Sequence, residues 1–192
     1  MRHQESEERA SERGLTLLEV ALYAAVLVAI GAPLVSAVLV STRSTREVDT
    51  VNAITERNRT IVLRIEKEVR RAIGSTVSVE DLGKSLALTP PAGFDGASVV
   101  PGAPMRFELR PAPGESVNGV DDDGNGLVDE GELFQKDVAT GAESLLARGI
   151  DLDASSFSRT SSGFTITLTN FGGGEGGTPF RISKTVTVYP RN

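Results

Sequence analysis

The densest group of reactive side chains lies in the stretch 121–132, which reads Asp-Asp-Asp-Gly-Asn-Gly-Leu-Val-Asp-Glu-Gly-Glu. Six of these twelve residues are carboxylates, namely Asp121, Asp122, Asp123, Asp129, Glu130 and Glu132. Like charges at this density repel one another unless a cation lies between them. Carboxylate and carbonyl oxygens are the ligands of hard divalent cations. The stretch therefore predicts a cation-binding loop, with a solvated acidic loop as the alternative.

The spacing of the oxygen donors resembles the calcium-binding loop of EF-hand proteins. That resemblance implies calcium as a structural cofactor, bound at loop positions 1, 3, 5, 7, 9 and 12. Gly126 falls at position 6, where the EF-hand loop turns sharply. The implied ligands are Asp121, Asp123, Asn125, the carbonyl of Leu127, Asp129 and Glu132.

The sequence before this loop departs from the EF-hand pattern. Residues 110–114 read Arg-Pro-Ala-Pro-Gly, and prolines at this spacing do not form the interior of a helix. We therefore expect an isolated loop between two strands. An ion there would stiffen the loop, because there is no helix pair to open as in a calcium sensor.

The composition argues against catalysis. The chain has no Cys, and its single His is His3, close to the N-terminus. Thiol chemistry and Cys-ligated metals are thus excluded, and a chain processed after residue 14 would lack the commonest general base. Ser and Asp are abundant, but no base is available to activate a hydroxyl. We predict that the protein is not an enzyme.

A second charged group with possible chemistry is Glu19, which precedes an apolar run. Residues 20–40 carry no charge and would span ~31 Å as a helix at about 1.5 Å per residue. The hydrocarbon core of a bilayer is ~30 Å thick. A carboxylate deep in a membrane costs ~2.5–3.5 kcal/mol on insertion scales, so it needs a partner. Cleavage after Gly14 would give Leu15 a protonated α-amine four residues before Glu19, on the same helical face.

The sequence Arg13-Gly14-Leu15-Thr16-Leu17-Leu18-Glu19, between a polar leader and a spanning helix, resembles a type IV prepilin signal. The resemblance implies cleavage between Gly14 and Leu15 by prepilin peptidase, N-methylation of Leu15, and a role for Glu19 in filament assembly. Leu15 stands where the family usually has Phe. Two alternatives remain. An ordinary secretory signal has a shorter apolar core of about 7–15 residues, and a plain single-pass anchor leaves Glu19 unexplained.

The rest of the chain predicts an α+β fold, with a long N-terminal membrane-spanning helix packed on an antiparallel β-sheet domain. The predicted divisions are a leader at 1–14, a transmembrane half-helix at 15–40 with a kink or local melting at Pro33, an amphipathic half-helix at 41–73, and a β-rich domain at 74–192.

Apolar residues recur every three or four positions from Val51 to Ile73, which predicts the amphipathic half-helix. Strands are expected at 76–79, 85–89, 105–110, 133–138, 164–169 and 182–189. For 145–152 we favour a short helix or turn followed by a strand, and for 172–177 a flexible loop.

This layout resembles the minor pseudopilins of the J type in type II secretion and the minor pilins of the W type. The resemblance implies a filament subunit, anchored in the inner membrane by one pass with its C-terminal domain periplasmic. Its expected partners are other pilin or pseudopilin subunits and prepilin peptidase. The net charge of −6 gives no basic surface for nucleic acid. The alternative function is a membrane-anchored, calcium-dependent binding or adhesion module.

Overall fold

The computed structural model describes residues 16–172 and 179–190. The predicted junction residues Gly14 and Leu15, and residues 173–178 of the predicted glycine-rich loop, lie outside these ranges. The chain divides into two compact units, Met1–Arg46 and Glu47–Asn192, and the helix α1 (Leu17–Arg71) contributes residues to both.

In the first unit, α1 is apolar and exposed. Leu17 and Leu18 are 89% and 80% exposed, and the large aliphatic residues that follow them are exposed as well. Of the described helices, α1 is the one long and apolar enough to cross a membrane, by length and composition. The helix continues through Pro33, so the local melting expected there does not occur.

In the second unit, α1 buries one face. The buried positions are Asn58, Ile61, Val62, Ile65 and Val69, at intervals of one, three and four residues that place them on one side of the helix. The opposite side is charged and includes a Glu66–Arg70 pair with a nitrogen–oxygen distance of 2.7 Å. The helix ends at Arg71, and Gly74 begins a short 3-10 turn, Gly74–Thr76.

The sheet that this face covers is antiparallel, as predicted. Its described strands follow the spatial order β1-β2-β5-β6-β7-β9-β10, and β8 pairs with β9. A separate hairpin pairs β3 with β4. The strands are β1 (Ser78–Glu80), β2 (Ser85–Leu88), β3 (Pro91–Phe94), β4 (Val99–Pro101), β5 (Met105–Pro111), β6 (Glu130–Asp137), β7 (Glu143–Asp151), β8 (Ser156–Arg159), β9 (Phe164–Gly172) and β10 (Phe180–Val188).

A single apolar core lies in the second unit, between the helix face and the sheet. Ile65 from α1 belongs to the same buried cluster as Phe107, Leu133 and Ile166 from three strands, and all four are fully buried. The α+β fold with an apolar N-terminal helix and an antiparallel sheet is thereby confirmed.

Each of the six predicted strands overlaps an observed one, but the segment 145–152 differs from its prediction. It belongs to β7, which is extended from Glu143 to Asp151 with no helical turn. The hairpin strands β3 and β4 and the short strand β8 were not predicted.

The element that positions the acidic stretch is the connection between β5 and β6. These strands pair from Met105↔Asp137 to Pro111↔Gly131, so residues 112–129 leave the sheet and return to it at adjacent points. Backbone hydrogen bonds from Ala112 N to Glu130 O and from Leu152 N to Asp129 O, both 3.0 Å, close its base.

Candidate functional site

The first candidate site is the start of α1. The Thr16 backbone N–H donates to Glu19 Oε2 at 2.8 Å, and the Thr16 hydroxyl donates to the same oxygen at 3.0 Å. In return, the Glu19 N–H donates to Thr16 Oγ1 at 3.3 Å. This reciprocal arrangement is a capping box, in which a Thr before the first turn and a Glu three residues later satisfy two helix N–H groups.

The capping box gives Glu19 a structural role that does not require an α-amine. It could have been recognised from the spacing Thr16-Leu17-Leu18-Glu19, which matches the [ST]-x-x-E signature. In a bilayer the cap gains importance, because no water is present there to satisfy free N–H groups. A carboxylate has about four lone-pair sites, so the two bonds from Thr16 leave Glu19 able to accept from a further donor.

The second candidate site is the loop between β5 and β6, whose turn is organised by Asp121. Its Oδ1 accepts from the N–H of Gly124 at 2.7 Å, and its Oδ2 accepts from the N–H of Gly126 at 2.7 Å. Gly126 has φ +88°, a left-handed conformation that glycine adopts without strain. The sharp turn expected at this position is therefore present.

Three carboxylates converge at this turn. Glu115, Asp121 and Asp123 each place an oxygen within 4.8 Å of an oxygen of the other two. Glu115 is only 7% exposed, and its Oε1 accepts from the N–H groups of Asp122 at 3.1 Å and Asp123 at 3.0 Å. Its second oxygen, Oε2, is buried and has no hydrogen-bond partner among the described residues.

A fourth carboxylate of this region, Glu130, begins β6. Its pKa is raised, first by burial and then by the negative charges of Asp123, Glu115 and Asp121. A hydrogen bond with the Asn125 side chain acts in the opposite direction. The Asn125 N–H also donates to Asp121 Oδ1 at 3.2 Å and to Asp123 Oδ1 at 3.0 Å.

Two residues of the EF-hand set have other partners. Asp129 Oδ1 accepts from the N–H groups of Asn118 at 2.7 Å and Gly119 at 2.9 Å, and these two bonds, the Gly119 bond first, lower the pKa of Asp129. Glu132 lies in β6 and forms an ion pair with Arg148 Nε at 2.9 Å.

The structure thus groups Asp121, Asp123 and Asn125 as the sequence suggested, and it adds Glu115. Leu127 follows the turn and donates its N–H to Asn125 Oδ1 at 2.8 Å. Glu115 was missed because it precedes the twelve-residue template by six positions. The available signal was a lone carboxylate just after a Pro-Gly turn that could fold back over the acidic run.

Comparison with protein-family models, with curated proteins and with solved structures finds no match to this chain.

Proposed function

We propose that this chain is a minor pilin or pseudopilin subunit. In this proposal it is processed by prepilin peptidase and assembled into a type IV pilus-like or type II secretion filament. Before assembly it is a single-pass inner-membrane protein with its C-terminal domain in the periplasm. Its partners are then the membrane, the peptidase and other filament subunits.

The observation that carries the proposal is the conjunction of Glu19 with an exposed apolar helix. Among the described residues, the large apolar side chains from Leu17 to Val40 are 48–89% exposed. An apolar surface of this extent marks contact with a membrane or with other protein. Glu19 sits in the first turn of that helix, where a carboxylate can receive an amine from a second copy.

The second unit supports the proposal through its architecture. The charged and apolar faces of α1 beyond Glu47 are separated, and the apolar face is buried in the core of the second unit. A helix buried in this way suits a subunit that anchors at one end and displays a folded domain at the other. The resemblance to J-type and W-type minor subunits rests on this layout.

The decisive test is the mature N-terminus. Expressed with its peptidase, the native chain should begin at Leu15 with a methylated amine, as read by mass spectrometry. Gly14→Asp should retain residues 1–14, because the resemblance places the junction there.

Ala10→Asp is the matched control, since it adds the same charge to the leader away from the junction and should be processed normally. If Gly14→Asp leaves the mature mass unchanged, the filament proposal fails. A plain membrane anchor carrying a displayed domain then remains.

A further inference from the structure

We propose that the β5–β6 connection binds a calcium ion through Glu115, Asp121 and Asp123. This ligand set differs from the EF-hand set that the sequence pattern suggested. It brings in a buried Glu from outside the twelve-residue stretch and leaves out Glu132. The proposal concerns the isolated chain and does not depend on filament assembly.

The buried oxygen of Glu115 points to a missing ligand. A buried polar atom without a hydrogen-bond partner destabilises the folded state, and more so when it is charged. Glu115 Oε2 is such an atom, while Oε1 of the same carboxylate is held by two backbone N–H groups. The side chain is therefore fixed in place with an unused oxygen beside two further carboxylates.

The negative charge around this oxygen favours the binding of a cation. Glu115, Asp121 and Asp123 lie together, each with an oxygen within 4.8 Å of an oxygen of the other two. In the part of the chain that the structure describes, no Lys or Arg forms an ion pair with any of the three. The nearby Glu132 is already neutralised by Arg148, which explains why it is not part of the proposed set.

The chemistry of the donors favours calcium over magnesium or zinc. All three groups are carboxylates, and the described chain offers neither a Cys nor a His for a softer metal. Calcium accepts six to eight oxygens in flexible geometry, whereas magnesium requires a near-ideal octahedron and retains its waters. Here the donors come from an irregular loop and its tight turn, which suits the more tolerant ion.

The test is a calcium titration of the purified full chain in detergent micelles, after metals have been removed. Calorimetry measures the heat of binding during the titration. Saturable binding of one ion is expected, with a Kd of about 10⁻⁴–10⁻³ M if the site resembles extracellular modules. At a calcium concentration 100 times the Kd, the melting temperature should rise by roughly 5–10 °C over that in EGTA. Magnesium at the same concentration should give a smaller rise.

One pair of variants separates the ligand sets. Glu115→Gln keeps an oxygen for the Asp122 and Asp123 N–H groups but removes a charge, so calcium affinity should fall ~10-fold or more. Glu132→Gln is the matched control, and its affinity should equal that of the native chain. Asp123→Asn, at an exposed position, should also lower calcium affinity, because Asp123 belongs to both ligand sets and so tests whether the loop binds calcium at all.

The outcomes are distinct. If Glu132→Gln loses binding while Glu115→Gln keeps it, the EF-hand set is correct and this proposal is overturned. It is also overturned if the native chain shows neither heat of binding nor a melting shift. Circular dichroism confirms that each variant is folded, and if Glu115→Gln is not, Glu132→Gln decides between the two sets, because Glu132 belongs to the EF-hand set alone.

Discussion

At the scale of single residues, Glu19 has one role that the structure shows and a second that belongs to the proposed filament. Its carboxylate closes a capping box with Thr16, and its charge is available to an amine. Loss of an N-cap costs about 0.5–2 kcal/mol in helix stability. The loss of an intermolecular charge pair would instead affect assembly and leave the helix intact.

Substitutions at Thr16 and Glu19 distinguish these functions. Glu19→Gln keeps an oxygen for the Thr16 N–H but has no charge, so it should be processed normally and be incorporated poorly into filaments. Thr16→Ala retains the charge while losing the hydroxyl, so it should be processed and incorporated. The measurement is the fraction of each mature subunit recovered in sheared filaments. Equal incorporation of Glu19→Gln and the native chain would show that capping alone explains the carboxylate.

Residue-level reasoning anticipated the turn of the acidic loop but not its complete donor set. The sequence alone could predict the roles of Asp121, Asp123 and Gly126, because these roles depend on neighbours within five positions. Glu115 joins them through a fold-back of the chain, and Asp129 is diverted to the N–H groups of Asn118 and Gly119. A fixed spacing pattern of ligands cannot predict either effect, because both depend on which backbone N–H groups the folded loop leaves free.

At the scale of elements, the periodic segments were predictable and the irregular ones were not. The spacing from Asn58 to Val69 identified the buried helix face, and the alternation in 164–169 identified β9. In β7 the alternation fails, because the register with β6 shifts between Gly131 and Glu132 and again between Leu133 and Phe134. Such bulges insert an extra residue and change which side chains face the core. β3 has no buried residue, so no hydrophobic pattern marked it.

The buried helix face carries the stability of the second unit, and one pair of variants tests this. Ile65 is fully buried, so Ile65→Ala should lower the free energy of unfolding by about 2–5 kcal/mol. Leu63 lies on the same helix with 51% exposure, and Leu63→Ala should change it by no more than about 0.5 kcal/mol. Urea unfolding of the full chain in micelles, followed by circular dichroism, measures both. Equal effects would mean that this face is not the packed one.

At the scale of the whole molecule, the charges are organised into an ion-pair network across strands β5, β6 and β7. Arg110 contacts Glu108 and Glu143, with Nη2 to Glu143 Oε1 at 2.8 Å, and Lys136 Nζ lies 3.1 Å from the same Glu143 oxygen. The hydrogen bonds from Arg110, and then those from Lys136, lower the pKa of Glu143 to about 2. The hydrogen bonds to Glu143 in turn raise the pKa of Arg110.

The network predicts a specific acid sensitivity. Because the pKa of Glu143 is lower in the folded than in the unfolded chain, its stabilising contribution is present above about pH 4.5. It is lost as the pH falls from there towards 2. Melting temperatures of the native chain should therefore decrease more steeply across this window than those of Glu143→Gln. Added salt should reduce the difference, since Glu143 is partly exposed and screened. Parallel curves for the two proteins would contradict the prediction.

Because β10 lies at the edge of the sheet, its position affects whether neighbouring copies of the chain can pair through their strands. In the described part of the chain β10 pairs with β9 alone, so its outer edge could template a strand from another copy. An exposed Lys184 in mid-strand and Pro190 just beyond the end oppose such addition. Neighbouring copies held side by side would then remain separately folded, rather than merge through their sheets into aggregates.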